Sequence, residues 1–310
     1  MPFNQLHILA SAVIVKFERT KIQDSCQEFE VIICSHMEDF EENFKHLIDE
    51  IHKLDLSLSP SDENIVISML KTFQPLFFGF SKVVPSFERM TINRTLPNNT
   101  GETIRELKYL KNPPPENITR YGRANLKGQS VLYATFILPT IIFEMKPKVG
   151  DLVTISKWEL KTRETNLLVC PIIDYPNCRD YQLLNEFEKA LKIYPKGFQD
   201  IIINDYNLIA QCFSKYVEKG KDINYIFSAH FADRILNEFY EGKIEAIIYP
   251  SVQDPLNSAN IALKPSAFEG KYKIFEICES IVYSNDGNSL FLKRTKTTSK
   301  VDHNGIIIWK

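Results

Sequence analysis

Apolar residues recur every three or four positions at Met37, Phe40, Phe44, Leu47, Ile48, Ile51 and Leu54, with Glu, Asp, Lys and His between them. That spacing predicts a helix with one buried stripe. Ser57 to Glu63 reads as a loop around Pro60, with Ser61 or Asp62 placed to cap a second helix near Asn64 to Phe73. The earlier apolar run Ile8 to Val15 has no Lys or Arg before it, soon meets Lys16, and is followed by no small-residue cleavage pattern. It therefore reads as a buried strand or first helix, too short to cross a bilayer. Residues 1–90 are expected to be a mainly helical region.

Residues 91–120 change character, with Pro97-Asn98-Asn99-Thr100-Gly101 and then Pro113-Pro114-Pro115. They read as a connector and domain boundary holding one short helix over Glu102 to Leu110, ended by the prolines. From 121 the pattern alternates. Strands are expected at Val131–Thr135, Asp151–Trp158, Leu167–Ile173 and Glu245–Tyr249, and a short helix at Thr140–Met145. Longer helices are expected at Tyr181–Ile193, Asp200–Val217 and Tyr225–Tyr240. Tyr272–Tyr283 and Ser289–Arg294 read as a hairpin across Asn285-Asp286-Gly287, and Gly305–Trp309 as a strand closing the sheet edge. The expected class is α+β: a mixed, mostly antiparallel sheet with flanking helices over 121–310, preceded by the helical region.

Composition narrows the function classes. With 310 residues there is chain enough for one large domain or two small ones. A net charge of -2 gives no general attraction for nucleic acid or an anionic membrane, so neither is an expected partner. The six cysteines (26, 34, 170, 178, 212 and 278) form no close pair, which favours reduced thiols and a cytoplasmic setting over a disulfide framework or zinc site. His46 and His52 are six apart and share no helix face, so they make no metal pair, and no metal is expected. The Asn-X-Ser/Thr triplets at Asn93, Asn98 and Asn117 read as loop composition. No Walker loop, HExxH, GxGxxG or HxE…CxxC pattern occurs, which sets aside the common nucleotide hydrolases, zinc peptidases, dinucleotide oxidoreductases and zinc deaminases.

Two segments carry the candidate chemistry. In the first, Arg123 stands before Asn125 and Gly128, in a run of turn formers feeding the Val131 strand. A guanidinium beside backbone N–H groups suits a diphosphate, while an ordinary loop arginine fits the local sequence as well. Tyr133 shares a strand face with Val131 and reads either as core or as a stacking wall for a flat heterocycle. Glu144 ends the apolar run Phe136 to Phe143. A carboxylate there is costly to bury unless paired or working, and a helix-end glutamate reaching solvent is the alternative. In the second segment, Ser251 follows Ile247-Ile248-Tyr249-Pro250, and Asn260 follows a turn-rich stretch from Asp254 to Ala259 that would form a mobile rim. Ser251 reads equally as a turn or cap residue, and no Gly-x-Ser-x-Gly elbow surrounds it.

Together these segments resemble the RES-domain family, named for its Arg, Glu and Ser. The stretch Arg123-Ala124-Asn125-(x)2-Gly128-(x)2-Val131-Leu132-Tyr133, then Glu144, is similar to that family's first half. Ile248-Tyr249-Pro250-Ser251, then Asn260-Ile261-Ala262-Leu263, is similar to its second, and the resemblance covers about residues 120–285. It implies a fold akin to the ADP-ribosyltransferase toxins, with NAD bound as substrate. The implied activity is cleavage of the nicotinamide–ribose bond by phosphorolysis or hydrolysis, or transfer of ADP-ribose to a protein acceptor, in a toxin paired with an antitoxin. By the same resemblance Arg123 would hold the phosphates or ribose and Tyr133 would stack near nicotinamide. Glu144 would stabilise the ribosyl cation, and Ser251 and Asn260 would bind the nicotinamide end or ribose hydroxyls. Arg89, Arg94 and Arg120 compete with Arg123 for the anion-binding place. A binding module that keeps the pocket without the chemistry, using the front region as an interaction surface, is the alternative from a different class.

Overall fold

The computed structural model describes residues 42, 45, 46, 49 and 60–310, apart from 74, 98, 219, 252–258 and 286–289; the side chains of 62, 72, 142–144 and 176 lie outside the description. Of the helix expected over 37–54, the described Glu42, Lys45, His46 and Asp49 are helical. The run at 8–15, the hairpin turn at 286–289 and the rim at 254–258 lie outside the described residues.

The described part of the chain is mixed α and β. Nine strands form one open sheet in the order β1-β5-β6-β7-β3-β2-β4-β8-β9. They are β1 (Phe80–Lys82), β2 (Ser86–Ile92), β3 (Leu132–Thr135), β4 (Leu152–Leu160), β5 (Leu167–Pro171), β6 (Ala246–Pro250), β7 (Ala259–Leu263), β8 (Tyr272–Asn285) and β9 (Leu290–Thr298). Neighbours pair antiparallel except β5 and β6, which are parallel from Val169↔Ala246 to Pro171↔Ile248. Around the sheet lie α1 (Pro60–Thr72), α2 (Leu138–Met145), α3 (Tyr181–Leu191), α4 (Lys196–Ser214), α5 (Ile226–Asp233) and α6 (Pro265–Lys271). Pro60 itself opens α1, because its missing N–H costs nothing in a first turn.

Both faces of the sheet are covered around β6, which explains why this strand reads as an unbroken apolar run instead of an alternation. One face packs Ile247, Tyr249 and Ala262 against Phe213, Phe227 and Phe231 of α4 and α5, with Val66, Met69 and Leu70 of α1 outside them. The other face packs Leu132, Ala134, Ile248 and Ile261 against Phe187, Tyr206 and Phe268. A third cluster sets Ile141 of α2 with Met90, Ile92, Val153, Ile155 and Val282.

Several expectations need correction. The stretch up to residue 90 was expected to be mainly helical; its last part holds β1 and most of β2, and β2 sits between β3 and β4 inside the sheet. The helix expected over 102–110 is only a 3₁₀ turn at Leu107–Leu110, because the preceding segment bonds to the chain's last residues. Leu107 N donates to Gly305 O at 2.9 Å and Ile307 N to Arg105 O at 2.8 Å. Gly305–Trp309 therefore pairs with the connector and leaves β9 as the sheet edge. The helix expected to reach Tyr240 passes into a π-helical turn at Arg234–Glu238 and stops where Tyr240 and Glu241 adopt φ of 47° and 56°. Asn93 is buried and structural: its side-chain amide donates to Glu102 O at 2.9 Å, and its carbonyl oxygen accepts from Thr154 at 2.9 Å.

The connector is fastened to the sheet by a bidentate ion pair, Arg94 Nε to Asp151 Oδ1 at 2.5 Å and Nη2 to Oδ2 at 2.9 Å. Arg94 first, and the Lys148 N–H after it, hold the Asp151 carboxyl below its ordinary value despite partial burial. A depressed folded pKa contributes stability above the unfolded value of 3.8, which is lost as pH falls through the folded value. Asp151→Asn is therefore expected to lower the urea midpoint at neutral pH, and the gap from wild type to narrow as pH falls below 3.8. A gap independent of pH would show that the ion pair contributes nothing through its charge.

Candidate functional site

The two segments singled out in the sequence lie on neighbouring strands. Tyr133 is opposite Ala262 and Thr135 opposite Asn260, and Asn260 in turn is opposite Tyr249 of β6. Because cross-strand partners share a sheet face, Tyr133, Thr135, Asn260 and Tyr249 project to one side. Ser251 follows directly after β6, whose Pro250 pairs with Ala259, the residue before Asn260. Glu88 is opposite Thr135, so Met90 faces the same way, and Ile141 of α2 packs with it. Glu144 lies three residues after Ile141 on that helix, and its side chain is outside the description. Thr135, Ser251 and Asn260 are buried.

The loop carrying Arg123 is folded around the Tyr133 hydroxyl. That oxygen accepts from Ala124 N at 2.6 Å and donates to Asn125 Oδ1 at 2.8 Å. Gly122 N closes the turn on Asn125 O at 3.0 Å. A Cβ at Gly122 would meet the Asn125 side chain and stand 2.9 Å from the Tyr133 hydroxyl, so only glycine lets the loop come this close. Gln129 ties the loop to α5 by donating to Asp233 Oδ1 at 3.0 Å. Burial pushes the Tyr133 phenol well up, so it remains neutral. Its hydroxyl is an anchor, which leaves the ring as the part able to meet a ligand.

The four arginines in contention differ in what they hold. Arg94 is paired with Asp151, and the exposed Arg120 with Asp222 at 3.2 Å. Arg123 donates through Nη1 to the carbonyls of Phe213 and, at 3.0 Å, Lys215, and its Cζ stands 5.0 Å over the Tyr225 ring. These are carbonyls at the C-terminus of α4, where a cation offsets the helix dipole. As folded, Arg123 is a helix cap. Arg123→Ala is expected to lower stability by about 2 kcal/mol, from the lost cap and cation–π contact. An unchanged unfolding midpoint would free Arg123 for a ligand-binding role.

Arg89 is the exception. β2 and β3 share the single register pair Glu88↔Thr135 and then separate. The carbonyl of Tyr133 beyond that point is met by Arg89 Nη1 at 2.9 Å. Arg89 Nε is buried without a partner, and among the described residues no carboxylate pairs with this guanidinium. The residue as a whole is half-buried while its guanidinium is enclosed, and that desolvation pushes its pKa down to about 10. A cation held this way is costly until an anion meets it. Sequence inspection named Arg89 only as a competitor. Its placement depends on where β2 parts from β3, which no local pattern announces.

A cavity of about 470 Å³ opens at the same end of the strands, lined by Phe136, Tyr249, Pro250 and Ala259 together with Ile173 and Leu183. Tyr133, Ser251 and Asn260 are not part of its wall, which belongs mainly to the opposite layer. Among the described residues no group of three or more His, Cys, Asp or Glu could hold a metal ion, and no helix is long and apolar enough to cross a membrane. His230 is half-buried beside Tyr121, with Nε2 lacking a hydrogen-bond partner among the described residues. Comparison with known protein families and with curated proteins returned no match.

Proposed function

We propose that this chain consumes NAD by breaking its nicotinamide–ribose bond, the activity implied by the resemblance to RES domains. The observation that carries the proposal is the adjacency of the two motif strands, β3 and β7, with Arg89 reaching the Tyr133 carbonyl through Nη1 and its buried Nε without a partner among the described residues. Arg89, more than Arg123, has donors left for a pyrophosphate. Tyr133 offers its ring to nicotinamide, with Asn260 on the same face of β7 and Ser251 at the end of the neighbouring β6. The glycosidic C–N bond breaks with its electron pair going to the nicotinamide nitrogen, which loses its positive charge. The ribose is left as an oxocarbenium-like cation. The Glu144 carboxylate stabilises that charge and takes the proton of the incoming acceptor as its oxygen bonds to the sugar carbon. Water, phosphate or a protein side chain can serve as acceptor, and an ADP-ribosyltransferase-like fold suits all three.

Purified protein incubated with NAD, with and without phosphate, is expected to release nicotinamide; no release in either condition from folded protein removes the proposal. Labelled NAD in a cell lysate separates transfer from simple degradation, since transfer marks a discrete protein band.

A second reading, a binding module without turnover, draws support from the buried Ser251 and from Arg123 acting as a helix cap. Calorimetric binding of NAD with no nicotinamide formed would select it. An antitoxin partner belongs to the proposal through the resemblance alone, and a cytoplasmic setting through the spacing of the cysteines.

A further inference from the structure

The cavity beyond the strand ends has a chemistry of its own. Its wall is apolar, built from Val84, Phe136, Ile173, Leu183 and Ile248. Its charged rim residues are balanced, Lys82 and Arg179 against Asp174 and Asp180. All four interact within the protein. Lys82 Nζ donates to Gln182 at 3.0 Å, and Asp174 accepts from Asn177 at 3.0 Å. Asp180 caps α3 by accepting from Gln182 N and Leu183 N, each at 3.1 Å. An ionic ligand would find little free charge here. Val83 and Ile137, also lining residues, are 47% and 46% exposed, so apolar surface extends from the wall out to solvent.

A hole of this size falls in the range of small-molecule sites, roughly 300–1,000 Å³, and is far larger than the stray voids of a packed interior. Filling it would restore dispersion contacts that its wall lacks. Cys178 lies on the wall as a half-buried thiol whose pKa is raised by that burial, so it too is uncharged.

The geometry points to this cavity as a binding site for an uncharged, mainly apolar small molecule, separate from the face proposed for NAD. The site stands whether or not the chain cleaves NAD, and its test uses no turnover. The full chain is titrated with the neutral fluorescent probe N-phenyl-1-naphthylamine. Saturable binding at one site per chain is expected, with no displacement by NAD. Cys178→Trp, which fills the cavity, is expected to weaken binding at least about tenfold. Saturating probe is expected to slow alkylation of Cys178 in wild type several-fold by mass mapping, leaving Cys278 on β8 unchanged. Absence of saturable binding, displacement by NAD, unaltered binding to folded Cys178→Trp, or equal labelling of Cys178 would each overturn the assignment. Where Cys178→Trp does not fold, the wild-type labelling decides.

Discussion

Glu144→Gln is expected to leave the protein folded and to cut nicotinamide release from NAD by two orders of magnitude or more, about 3 kcal/mol. The reasoning starts from charge. NAD already carries a positive nicotinamide ring; as the glycosidic bond breaks, that charge passes to the ribose. A carboxylate fixed beside the sugar interacts with the cation far more strongly than with the neutral ribose of the ground state, so its effect falls on the barrier. Glutamine keeps size and hydrogen-bonding shape while removing the charge, so NAD affinity should change little. The fold supplies the setting: α2, which carries Glu144, follows β3 and lies over the sheet face to which Tyr133 and Asn260 belong. Equal turnover by wild type and Glu144→Gln would take Glu144 out of the mechanism.

Arg89→Met separates two kinds of arginine. The Arg89 guanidinium makes one described bond, to the Tyr133 carbonyl, and holds a buried Nε without a partner. Removing it gives up that bond and also removes a poorly compensated charge, and the two effects oppose each other. The unfolding free energy of Arg89→Met is therefore expected within about 1 kcal/mol of wild type. NAD affinity should instead fall roughly a hundredfold, about 3 kcal/mol, because a charge-assisted contact to phosphate has no substitute in methionine. The opposite pattern, a large loss of stability with unchanged NAD affinity, would make Arg89 a strut that only braces the gap between β2 and β3. Arg123→Ala serves as the contrast, since its expected loss is in stability.

The elements that the sequence announced were those with a strong period or a strong punctuation. α3 and α4 carry apolar stripes, and β4 and β8 are long enough for their pattern to show despite a bulge in their pairing. β2 and β7 went unannounced for different reasons. Glu88 and Arg89 interrupt the apolar pattern of β2, because Arg89 fills the gap beside β3 instead of packing in a core. β7 is a five-residue run with four buried positions, too short and too uniformly buried for a period to appear. The two motif segments fall on neighbouring strands, β3 beside β7 and β7 beside β6, a juxtaposition that rests on pairing between distant segments. The roles of individual side chains were less legible. Turn formers around Arg123 suited either an anion clamp or an ordinary loop arginine, and its partners are carbonyls 90 and 92 residues away at the end of α4. Tyr133 read either as core or as a stacking wall, and its hydroxyl is the hub of the preceding loop. Both depend on contacts between distant segments, which hydrophobic period and turn chemistry do not encode.

A crystal structure of the full chain with a non-cleavable NAD analogue tests the central claim most directly. The pyrophosphate is predicted within hydrogen-bonding distance of Arg89, with the nicotinamide against the Tyr133 ring and its ribose turned toward Glu144. A dinucleotide seated instead among Phe136, Ile173 and Leu183, or Arg89 still bonded only to the Tyr133 carbonyl beside bound ligand, would contradict it.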